Sequence, residues 1–185
     1  MKDRLIDTID QLTAALAASY NTDGPASAIY GRTIPSREAT NTVLKTLQDI
    51  LFPGYYSENH IDRDNIRSFA GERLLYVYRK LADQIEKGLL HIAEAAGGCR
   101  DTQECSQRAH TIARELLEDL PGIRASLKDD VEAIFEGDPA AKCRSEVILA
   151  YPGLAAITAF RIAHFLYREG VPLIPRMMME IIHQE

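Results

Sequence analysis

The residue type and setting best suited to chemistry occur together once, in the stretch EGDPAAKC at 136–143, where Asp138 stands between Gly137 and Pro139. Aspartate accepts hydrogen bonds from the free N–H groups of a first helical turn, and proline suits the position after such a cap. The spacing therefore predicts that Gly137 ends one helix in a left-handed conformation and that Asp138 caps the next. Helix punctuation alone accounts for this pattern. The same geometry also favours the ionised carboxylate, so Asp138 is equally a fixed anion able to hold an ammonium group. Other candidates are poorer. His60, His91, His110, His164 and His183 show no HxxxH or HxxC spacing, so no metal site is expected. Arg161 and His164, three apart, share a helix face from which they pack against the corner or bond its carbonyls. Cys99, Cys105 and Cys143 form no CxxC pair, suit a reduced compartment and read as small apolar fillers. Cys105 has no base near it in sequence beyond His110, and a nucleophile needs one within hydrogen-bond reach.

The elements that must position Asp138 are helical. Apolar residues recur at a period near 3.6 in Leu5, Ile9, Leu12, Leu16, in Val43, Leu44, Leu47, Ile50, Leu51, and in Leu74, Leu75, Tyr78, Leu81, Ile85. Breakers separate these windows: NTDGPAS (21–27), a capping Ser36, and FPGYYSENH (52–60). A long third helix is expected from about Ile66 to Ala96, ending at Gly97-Gly98, with Gly71 and Gly88 as points of bending. Asp101 and Glu104 resemble a capping box for the next helix. Pro121 is expected to end that helix, and Ile123, Leu127, Val131, Ile134 and Phe135 to line a fifth. A short helix follows the Asp138 corner, then YPG (151–153) opens Leu154 to Glu169, stopped by Gly170. A last helix begins at Pro172 or Pro175 with Ile174, Met178, Ile181 and Ile182 in one stripe; it lacks a stop signal, so more chain is expected downstream. No window alternates as a strand does, and the expected class is all-α. Asp129-Asp130 read as exposed helix surface, and the moderately basic patch of Tyr76, Tyr78, Arg73, Arg79 and Lys80 as solvated surface or a subunit contact.

Composition excludes several functions. The 27 acidic against 21 basic residues leave a net charge of -6 without a basic cluster, which disfavours nucleic acid as a partner. Acids at 3, 7 and 10 interrupt what would have to be an apolar signal region, so no secretory leader is expected at the N-terminus. The weakly charged run from Val147 to Phe160 is broken by Pro152-Gly153 and falls short of the roughly 20 apolar residues a membrane span needs. With 185 residues the chain suffices for a core that buries about 70% of its unfolded surface.

DPAAKC followed by GLAAITAFRIAHFLYREG (153–170), with Asp138 and Arg161 spaced 23 apart, resembles the region of bacterial serine acetyltransferases that joins their helical N-terminal domain to a left-handed β-helix. The likeness is specific over about 130–185 and compatible, as helical sequence, over 1–129. It implies acetyl transfer from acetyl-CoA to the hydroxyl of L-serine, forming O-acetylserine for cysteine synthesis in the cytoplasm. It also implies that Asp138 binds the substrate amino group. The family's general base, a histidine supported by an aspartate, and its CoA contacts lie in the β-helix, whose hexapeptides are absent here. No catalytic or cofactor-binding residue is therefore expected in this chain, which alone should be inactive. The implied organisation is an N-terminal helical extension at 1–62, a main helical domain at 63–170 and a connecting helix at 171–185 leading to the hexapeptide-repeat domain. The resemblance implies a homo-oligomer, with the helical domain pairing trimers, and O-acetylserine sulfhydrylase as a partner of a C-terminal tail not present here. A different class remains open: a self-standing, non-enzymatic helical scaffold that associates through its apolar faces.

Overall fold

The computed structural model describes residues 2–20, 34–58, 60–97 and 102–184. These contain seven helices and no strand, so none of them forms a β-helix. The chain divides into two units, Met1–Ile34 and Pro35–Glu185. The first contributes α1 (Lys2–Tyr20), on which Leu5, Ile9, Leu12 and Leu16 follow one another at helical spacing. The breaker at 21–27, the Asp101 cap and Cys99 lie outside the described residues.

The second unit holds α2 (Arg37–Leu51), α3 (Ile66–Ala95), α4 (Thr102–Gly137), α5 (Arg144–Ala150), α6 (Pro152–Arg168) and α7 (Ile174–Ile182). Helices α3 and α4 pack along each other, α2 lies on α3 and α7, and α6 bridges α4 and α7. One core joins them. Leu44, Leu47 and Leu51 from α2 meet Leu81 and Ile85 from α3, Leu116 and Leu127 from α4, Leu154, Ile162 and Leu166 from α6, and Met178 from α7. All are fully buried, each contributing about 1.5–3 kcal/mol by leaving water.

The caps follow local chemistry. Ser36 has extended backbone and its Oγ accepts from the Ala39 N–H at 3.2 Å, as a capping serine should. Its own N–H donates to Gln84 Oε1 at 2.6 Å, tying the start of α2 to the middle of α3. Ser36→Ala is expected to lower the unfolding free energy by about 1 kcal/mol in a denaturant titration, and Ser36→Asp to retain most of it. A loss of only a few tenths for alanine would mean that the cap bond contributes nothing. Gly97 and Gly170 take left-handed φ values of 70° and 71° after α3 and α6, where a side chain would be strained. After α6 the Gly170 N–H donates to Tyr167 O at 3.0 Å and the Val171 N–H to Leu166 O at 3.0 Å, the paired bonds of a Schellman motif. Leu173 (φ 63°) then forms the centre of a γ-turn, closed by the Ile174 N–H to Pro172 O at 2.7 Å, which sets the start of α7.

Two expectations about α4 are corrected. Pro121 does not end a helix; α4 runs through it for 36 residues. Proline inside a helix costs about 3 kcal/mol, but Leu116, Leu120, Ile123, Leu127 and Val131 form one buried stripe across it. Only an uninterrupted helix keeps all five on one core, and their burial outweighs the lost bond. Gly137 is not left-handed: the Asp138 N–H still donates to Ile134 O at 3.1 Å, so the helical pattern reaches the corner itself. No single helix among the described residues is long and apolar enough to cross a membrane.

Candidate functional site

Asp138 is half-buried where α4 ends, and it does not cap a helix. Residues 138–143 are non-helical and α5 begins at Arg144. Asp138 Oδ1 accepts from the Ala140 N–H at 2.9 Å, and its carbonyl accepts from the Ala141 N–H at 3.0 Å. This is an Asx turn, which the Asp-Pro order favours: aspartate bonds the backbone two residues on, while proline presets the next φ. The other carboxylate oxygen, Oδ2, accepts a 2.7 Å hydrogen bond from the phenol of Tyr151. Tyr151 is the hinge between α5 and α6, at φ -93° and ψ 109°.

These two bonds set the electrostatics. The Tyr151 phenol first, then the Ala140 N–H, hold the Asp138 carboxyl below its ordinary value, because both bond the charged form. Asp138 is thus an anion at neutral pH. What it contributes as an anion is complete above the ordinary carboxylate value and is lost only as pH falls through the depressed one. The same bond, aided by burial and the negative charges of Asp138 and Glu146, pushes the Tyr151 phenol up to about 12. Tyr151 stays a donor near neutrality and cannot serve there as a general base.

Two ion pairs brace the corner. Arg144, at the start of α5, bonds Glu132 on α4 through Nε at 2.6 and 2.8 Å, and its guanidinium lies 4.6 Å from the centre of the Phe135 ring. Arg161 on α6 grips Asp130 on α4 through Nε at 2.9 Å and Nη2 at 2.7 and 2.9 Å. Arg161 therefore bonds a carboxylate, not the corner's carbonyls, and Asp130 is its partner, not bare helix surface. The fork of a guanidinium matches a carboxylate at two points, which fixes the rotation of α6 against α4 as well as its distance. His164 is exposed and stacks on Phe160 of its own helix at 5.5 Å. In the tyrosine patch, Arg73 bonds Asp49 at 3.1 Å and covers the Phe69 ring, while Tyr78 bonds His110 at 3.1 Å. Cys105 is buried in the core, as filler should be, whereas Cys143 is exposed.

An open groove of about 550 Å³ runs beside the corner, with Thr42, Thr46 and Asp49 of α2 on one wall and Leu149, Tyr151 and Pro152 on the other. Asp138 and the groove thus share Tyr151. Sequence reasoning missed both Tyr151 and Asp130. The Tyr-Pro pair announced an extended residue at 151, but nothing local says which carboxylate its phenol meets.

Residues 82–159 match the family model described as serine acetyltransferase, N-terminal. Over 154 residues the chain is 34% identical to the plasmid serine acetyltransferase of Synechococcus elongatus, an alignment covering 82% of this chain and 48% of that protein. Among solved structures, serine acetyltransferase 1 of Entamoeba histolytica in complex with L-cysteine superposes with a TM-score of 0.58 at 30% identity, over 81% of this chain and 47% of that one. Isoform 3 of the same organism, also in complex with cysteine, gives 0.60 at 27% identity, over 94% and 55%. The chain spans about half the length of these relatives. Asp138, Tyr151 and the two α4 carboxylates that brace them all fall within the matched segment. By sequence, by helical architecture and by superposition, then, the chain carries an N-terminal domain of the serine acetyltransferase family.

Proposed function

We propose that this chain is the helical part of a serine O-acetyltransferase and that Asp138 receives the ammonium group of L-serine. The observation that carries the reading is the setting of that carboxylate: half-exposed, and held by two donors that occupy one lone pair on each oxygen and favour its charged form. Each oxygen keeps a second acceptor site, so an ammonium can dock without displacing either bond. A cation meeting a preformed anion pays little for reorganisation, which is what substrate positioning requires. The acetyl donor on this reading is acetyl-CoA, and the products are O-acetylserine and CoA. The general base and the CoA contacts belong to a β-helix outside these residues, with α7 lying in the connecting segment. Assembly contacts of a homo-oligomer, a cytoplasmic setting and O-acetylserine sulfhydrylase as a partner follow from the same family reading.

The test is Asp138→Asn in the enzyme produced from its complete reading frame. Asparagine keeps the turn but removes the charge. KM for serine is expected to rise about ten- to a hundredfold, with KM for acetyl-CoA and the unfolding midpoint unchanged. An unchanged KM for serine would sink the reading.

A further inference from the structure

We propose that Tyr151 is a positioning residue for substrate ammonium recognition, its phenol holding the Asp138 carboxylate in the orientation that accepts the cation. The inference rests on the reading of Asp138 given above and concerns how that carboxylate is made fit for the task.

The backbone comes first. A residue before proline is driven out of the helical region, so Tyr151 must be extended between two helices, and it is. Its neighbours are anchored on both sides: Val147 in α5 and Leu154 in α6 are fully buried, and the Leu154 N–H donates to Tyr151 O at 3.1 Å. The ring therefore leaves the corner in one direction, towards α4, and its hydroxyl ends 2.7 Å from Asp138 Oδ2. The Ala140 N–H holds only the opposite oxygen, at 2.9 Å. With one donor the carboxylate can swing about its terminal torsion, which is broad for aspartate; with two, its plane is set. No other side chain bonds Asp138 among the described residues. Nearby charges are already committed: Glu146 accepts from the Lys142 N–H at 2.8 Å, and Arg144 pairs with Glu132 on α4. Glu136, also on α4, adds a small charge interaction with Arg144.

Tyr151→Phe removes the hydroxyl and keeps the ring. In the full enzyme, KM for serine is expected to rise about three- to tenfold, as for losing a hydrogen bond to a charged group at a half-exposed site. KM for acetyl-CoA should stay constant. The acid limb of kcat/KM for serine should move to higher pH, because the carboxylate has lost its strongest stabilising donor. A merely structural role would lower thermal stability and leave that limb in place. A fluorinated tyrosine at 151, with a more acidic phenol, provides a second probe should the phenylalanine variant fold poorly, and should shift the limb the opposite way. If Asp138→Asn raises KM for serine while neither change at Tyr151 moves the limb or that KM, the positioning role is wrong and the Asp138 reading survives. If Asp138→Asn itself leaves KM for serine unchanged, the earlier reading fails first.

Discussion

Replacing Leu154 with alanine is expected to lower the unfolding free energy by about 3–4 kcal/mol, within the range for leucines with no exposed surface. The side chain is fully buried in the first turn of α6, where α4, α6 and α7 share one core. Truncation removes apolar contact and leaves a cavity that rigid helices on several sides cannot close, so transfer and cavity terms add. A domain of this size is stable by only about 5–15 kcal/mol, so the variant should show a clearly lowered denaturant midpoint with an unchanged slope. Leu154 also lies three residues beyond Tyr151 and donates its N–H to that residue's carbonyl. Alanine keeps that N–H but loses the packing that fixes the first turn of α6, so the same variant should raise KM for serine in the manner of Tyr151→Phe. A stability loss below about 1 kcal/mol would show that the corner is not anchored there.

The second large effect is expected at Gly88, in the interior of α3. Glycine there is less favourable than alanine by about 1 kcal/mol as a helix residue, which on sequence grounds marks a bend. The structure supplies a different reason. A Cβ at 88 would stand 3.2 Å from Pro172 O, 3.4 Å from Pro172 Cγ and 3.5 Å from Pro35 Cγ. Three segments meet at this point: α3, the chain entering α2, and the loop between α6 and α7. Gly88→Leu must push that loop outward and is expected to cost about 3 kcal/mol, at the upper end for overpacking. Gly88→Ala should change stability by less than about 1 kcal/mol, because the gain in helix propensity offsets one tight contact. Denaturant titration of the pair separates the effects. A leucine variant as stable as the parent would mean that α3 and the loop do not approach this closely.

What could be read in advance was whatever is decided within a turn or two of chain. Ser36, Gly97 and Gly170 sit at their helix ends as expected, since capping depends on groups within a few residues. The apolar period located α2, α3, α7 and the length of α4, which it divided at Pro121, while α5 and α6 were placed by the breakers around them. Prediction failed where a distant partner outweighs the local rule. Pro121 is a breaker by itself, but a buried stripe on both sides carries α4 through it. Asp138 has the chemistry of both a helix cap and an Asx turn, and the chain chose the turn, with α5 delayed to Arg144. Asp130 looked like surface because its partner, Arg161, is 31 residues away.

The amino-acid sequence by itself determined the all-α class, the order of the helices apart from the join at Pro121, and the family likeness carried by DPAAKC and FRIAHFL. Period, capping preference and composition are properties of neighbouring residues, and they survive whatever the rest of the chain does. Only the tertiary structure decided that Tyr151 donates to Asp138, that Asp130 and Glu132 clamp Arg161 and Arg144 at the same corner, and that Gly88 leaves room for a loop. Those choices depend on how helices distant in sequence pack, and a hydrogen bond acts over about 3 Å of space however many residues separate its ends.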